Sequence, residues 1–260
     1  SAYHPVRNGS GGFQFGTVIF RDAEGNDVSF NVDATSALRL KNADNSFTDL
    51  ALFRLTAQPT FLSEVRLSSV TPLGGSSVVM AGNGLNRAPN ETHWNVNTMA
   101  TPDVWTETGN AGDRQGYKWG SSGQALRWGN NELEFDVVPT NRTFNINGGF
   151  GAVVAVKTEF DSISGQAQGA GGDSGGGVFY KNGSTWELIG IMETVDSFDG
   201  QPPSTAVFSN GLLSGGNSTF AADIATYRTQ ILAVVPEPGV GLLAALGCCM
   251  LGARRRRHRG

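Results

Sequence analysis

The chain has 260 residues, 36 of them glycine, with 16% charged residues and a net charge of −4. That length buries a real core as one large domain or two small ones, and the sparse charge excludes disorder, which needs high net charge and few apolar residues. Five of the 19 basic residues crowd the C-terminus (Arg254, Arg255, Arg256, Arg257 and Arg259). The body up to Val235 holds 14 basic against 22 acidic residues, which excludes the basic footprint of a nucleic-acid binder. The only cysteines, Cys248 and Cys249, are neighbours in an apolar tail, a poor disulfide framework, so the body must rest on its core.

Strand-like apolar runs recur along the body, at 17–20, 28–32, 50–55, 77–81, 133–138, 153–160, 177–180 and 188–192. In the second run Val28, Phe30 and Val32 alternate with polar residues and share one face. Turn signals separate the runs: Glu24-Gly25-Asn26, Gly74-Gly75, Asn147-Gly148-Gly149, and Lys181-Asn182-Gly183, which reads as a hairpin. The expected class is all-β. Residues 82–131 are poor in aliphatics and carry Trp94, Trp105, Trp119 and Trp128, and they read as long loops around one or two short strands. A helix is expected over 220–234, where Phe220, Ile224, Tyr227, Ile231 and Leu232 recur at helical spacing, with Ser218 or Thr219 as its cap.

The chemistry centres on Ser174, in Gly171-Gly172-Asp173-Ser174-Gly175-Gly176-Gly177. Serine is a weak nucleophile at neutral pH and needs a base for its proton and donors for the oxyanion it creates. Glycines on both sides let the backbone turn tightly and aim N–H groups at one point. The segment Gly172-Asp173-Ser174-Gly175-Gly176 resembles the nucleophile motif of the chymotrypsin/trypsin-like serine peptidases. Thr48-Asp49-Leu50-Ala51-Leu52-Phe53-Arg54-Leu55 is similar to that family's segment around the catalytic aspartate. Ser1-Ala2-Tyr3-His4 looks like the end of its segment carrying the catalytic histidine, although Pro5 departs from the small apolar residue usual next. His4 precedes Asp49 by 45 positions, close to the family separation. His93 would give the order Asp-His-Ser, but its surroundings match no such motif, and it reads as a surface or packing residue.

The resemblance covers residues 1–234 and implies two six-stranded antiparallel β-barrels with a C-terminal helix. It implies an exported serine endopeptidase in which Ser174 attacks a peptide carbonyl, His4 carries the proton, and Asp49 orients His4. Backbone N–H groups of Gly172 and Ser174 would hold the oxyanion, and no metal or organic cofactor is needed. By the same resemblance Glu193, Thr194 and Val195 would meet substrate, in place of the usual Ser, aromatic residue and Gly. Gln168 takes the position that is acidic in relatives selecting Arg or Lys, so such a preference is not expected. The chain begins with Ser1, and strands ahead of the histidine are expected to be missing, leaving the first barrel incomplete. The competing expectation is an inactive peptidase-like surface protein that binds protein or polysaccharide through its Trp-rich loops.

After residue 234 come Val235-Pro236-Glu237-Pro238, an apolar stretch at 239–253 and the arginine cluster. The apolar stretch is shorter than the roughly 20 residues of an ordinary spanning helix. The three parts in this order resemble the PEP-CTERM sorting signal of Gram-negative-type bacteria. That resemblance implies export, membrane attachment through 239–253, processing by an exosortase, and delivery to the cell surface or matrix.

Overall fold

The computed structural model describes residues 1–134, 143–161, 165–210 and 216–234. Among them the fold is all-β, with sixteen strands in three sheets and one α-helix. The chain divides into compact units Ser1–Thr226 and Tyr227–Gly260. The tail motif at 235–260 lies outside the described residues.

The first sheet is a meander of β1 (Thr17–Arg21), β2 (Asp27–Lys41) and β3 (Phe47–Leu55). The alternation read from the sequence sets its register, with Val18 opposite Phe30 and Phe20 opposite Val28. Residues 1–3 run beside β3. Ala2 bridges Leu50, Tyr3 N–H donates to Asp49 O at 2.7 Å, and Ala51 N–H donates to Ser1 O at 2.9 Å. This short pairing carries His4 to the start of β3.

The second sheet has eight strands. Its main path is β10 (Arg127–Glu132), β5 (Ser77–Gly82), β13 (Gly177–Asn182), β14 (Thr185–Val195), β16 (Ser218–Asp223), β12 (Val153–Glu159) and β11 (Phe144–Ile146), with β4 (Arg66–Leu67) parallel to β14. Val78, Met80, Val156, Val178, Ile189, Met192 and Ala221 form its buried core. The predicted hairpin at Lys181-Asn182-Gly183 joins β13 to β14. At the far end the chain returns from β10 to β12 through one bridge, Leu133 to Thr158, and Glu134 N–H donates to Lys157 O at 2.8 Å. No sheet closes by a continuous ladder among the described residues.

Two local expectations change. Residues 82–131 are not mainly loop. They hold β6 (Leu85–Arg87), β7 (Thr92–Asn97), β8 (Val104–Thr108) and β9 (Arg114–Gln124), which with β15 (Thr205–Val207) make the third sheet. Trp94 is fully buried there and meets Trp105 edge-on, so aromatic rings supply the apolar face that aliphatics supply elsewhere. The helix, α1 (Ile224–Val234), begins four residues later than the periodicity suggests. Phe220, Ala221 and Ala222 are β16 residues paired with both β12 and β14. The cap is Asp223, whose Oδ2 accepts from Thr226 N–H at 3.0 Å and Thr226 Oγ1 at 2.7 Å. Of the expected strand at 133–138, Leu133 makes its single bridge and residues 135–138 lie outside the described residues.

Candidate active site

His4 opens a 3₁₀ turn, His4–Val6, with Pro5 as its second residue. Proline suits a first turn, where its missing N–H would have no partner, and this accounts for the departure at that position. Asp49 lies at the buried start of β3, and Thr48 Oγ1 fixes the strand there by donating to Leu40 O at 3.0 Å. The two meet by a double attachment. His4 Nδ1 lies 2.7 Å from Asp49 Oδ2, and His4 backbone N–H donates to Oδ1 at 2.8 Å. With Nδ1–H given to the carboxylate, Nε2 is the ring nitrogen left to accept a proton. The imidazole stacks on Phe150, centroids 5.1 Å apart.

Arg39 braces this corner from behind. Its guanidinium bonds Thr48 O and Phe150 O and covers the Tyr3 ring at 4.0 Å. Neither Phe150 nor Arg39 was legible as a site residue, because each acts through partners far away in sequence.

Ser174 sits in a tight loop. Gly172 and Gly175 adopt φ of +95° and +88°, conformations that favour glycine. Asp173 N–H is given to Ala170 O, Gly175 N–H to Met192 O and Gly176 N–H to Asp173 O. The N–H groups of Gly172 and Ser174 donate to no protein acceptor among the described residues. Asp173 takes Ala170 N–H on Oδ2 at 2.8 Å and is raised above the usual carboxylate range by burial. Ser174 Oγ donates to Glu193 O at 3.5 Å, and no hydrogen bond joins it to His4 among the described residues.

His4, Asp49, Ser174, Phe150 and Thr194 line one cleft of about 230 Å³, together with Val195. Gln168 lies elsewhere, in the wall of an adjoining cavity of about 730 Å³, with both amide atoms buried and unbonded. Gly169 and Ala170 border both spaces.

Glu193, expected with Thr194 and Val195 to meet substrate, also lines this cleft, and its side chain is held inward. The ladder between β14 and β16 shifts register between Met192 and Thr194, a bulge at Glu193. A bulge re-aims a side chain, and here it aims inward. Glu193 is only 5% exposed, and neither carboxylate oxygen meets a donor. Burial first, and the Asp49 charge second, push its carboxyl well above the usual range. One ligand-type atom each from His4, Asp49 and Glu193 lies within 4.8 Å of the others. His4 Nδ1 is already committed to Asp49, so what this cluster shares is protons.

Comparison with protein-family models and with curated proteins finds no match to this chain.

Proposed function

We propose that the chain is a serine endopeptidase on a trypsin-like fold, acting through Ser174, His4 and Asp49. The observation that carries this reading is the double attachment of His4 to a buried Asp49 in the wall of the cleft that also holds Ser174. These residues come from three distant parts of the sequence, and each resembles the family at its own motif. The return of β10 onto β12 at Leu133 is compatible with a six-stranded barrel in the second half.

In this reading Ser174 Oγ leaves its long contact with Glu193 O, rotates toward His4 Nε2, and attacks the peptide carbonyl. Such contacts are commonly loose before substrate binds. Nε2 takes the hydroxyl proton and returns it to the leaving amine, giving an acyl-enzyme. Water then attacks the ester, again through His4, and frees the acid and Ser174. Asp49 holds the tautomer and stabilises the imidazolium. The unused N–H groups of Gly172 and Ser174 suit the oxyanion, where one donor contributes about 3 kcal/mol. Gln168 offers no charge to a basic side chain. The tail motif supports an exported protein, anchored through 239–253 until an exosortase-type enzyme releases it, at the surface of a Gram-negative-type bacterium.

The test is hydrolysis of an unfolded protein substrate. The wild type cleaves it, and Ser174→Ala reduces cleavage to background with an unchanged circular dichroism spectrum. Equal cleavage by both proteins rules out Ser174 as nucleophile. The competing reading, a non-catalytic binding protein, draws on Trp128, which is 72% exposed. It predicts a folded wild type with no cleavage.

A further inference from the structure

Glu193 is a carboxyl group in the cleft, close to His4 and Asp49, that the proposed reaction does not use. Both its oxygens are buried without an N–H or O–H donor. Asp49, beside it, receives two donors, the backbone N–H and Nδ1 of His4. The titratable groups facing Glu193 are Asp49 on β3, His4 on the 3₁₀ turn and the Ser1 amine, which burial drives toward its neutral form.

Two buried carboxylates this close do not both stay charged, and the pair holds a proton between them. The proton belongs on the member that lacks donors. Asp49 is already arranged as an acceptor, whereas Glu193 gains its only available hydrogen bond by becoming a donor. Resting on the serine-hydrolase reading, we propose that Glu193 is a positioning residue whose protonated carboxyl donates a hydrogen bond to Asp49 and so fixes the carboxylate that orients His4. The Glu193 backbone carbonyl meanwhile receives the resting Ser174 hydroxyl, so the bulge in β14 serves both ends of the triad. Burial and the Asp49 charge favour this protonated form.

The role has a pH signature. When Glu193 ionises, Asp49 loses a donor and gains a second negative charge beside it. The two carboxylates then repel, and the carboxylate that orients His4 is no longer fixed, so activity falls on the alkaline side. Glutamine keeps an N–H donor and cannot ionise.

The experiment follows the rate of fluorophosphonate labelling of Ser174 against pH in the wild type, Glu193→Gln and Glu193→Ala. An infrared difference spectrum of wild type against Glu193→Gln accompanies it. The expected result is a protonated-carboxyl band at neutral pH that Glu193→Gln lacks. Glu193→Gln should label at near wild-type rate at neutral pH and keep that rate further into alkali. Glu193→Ala should label on the order of tenfold more slowly, the size of a lost hydrogen bond to a charged acceptor. Absence of the carboxyl band, or identical pH profiles for wild type and Glu193→Gln, overturns the proposal. If no variant labels at any pH, the hydrolase reading and this positioning role in it fail together, and a band that persists then marks Glu193 as protonated for structural reasons only.

Discussion

Asp49 is held by neighbours on two sides. Tyr3 N–H binds its backbone oxygen, and His4 fills both carboxylate oxygens. Asparagine in its place presents an amide N–H2 where Nδ1–H now donates, and the ring turns to the wrong tautomer. Asp49→Asn should therefore fold normally and lower kcat by about 10⁴-fold. Kinetics on the purified variant check this, and a loss of less than tenfold contradicts the orienting role. The residues that make this corner were unequally legible. Asp49 and Ser174 stand in local motifs whose neighbours carry the signal. Phe150 and Arg39 do not, because the ring under His4 and the guanidinium behind it depend on contacts across 111 positions.

At the scale of elements, β14 joins the core to the site. Its inward residues Ile189 and Met192 pack with Val78, Val156 and Val178, and one residue later the bulge turns Glu193 toward Asp49. Ile189 is fully buried, so Ile189→Ala should cost about 2–5 kcal/mol of stability. Urea unfolding measures this, and a change under 1 kcal/mol would contradict the assigned core. The strand was legible from its aliphatic run, whereas the bulge was not. Period-2 alternation gives each residue a face only while the ladder is regular, so the inward turn of Glu193 could not be read from it. The β16 segment misled for a related reason. Phe220 happens to fall at helical spacing from Ile224, yet its backbone is already committed to two neighbouring strands. The third sheet escaped notice because Thr, Asn and Gly fill its strands and tryptophans carry its apolar side.

At the scale of the whole molecule, the all-β class followed from short apolar runs between turn signals. Strand order did not, since pairings such as β5 with β13 join segments about 100 positions apart, and nothing local encodes them. Global stability should also report the buried acid. A carboxyl whose folded pKa is raised favours the folded state fully below its unfolded value, near 4.3, and loses that contribution as pH rises through the folded value. The stability of the wild type relative to Glu193→Gln should thus fall with rising pH above about 4.3, at up to about 1.4 kcal/mol per pH unit, then level off. Unfolding curves across this range test it, and a difference independent of pH contradicts a raised Glu193.

The most direct measurement is the site of covalent labelling by a fluorophosphonate, located by mass spectrometry of the folded protein. The account predicts an adduct on Ser174, slowed by His4→Ala and absent from Ser174→Ala. A folded protein that takes no label, or a label that survives Ser174→Ala, would contradict it.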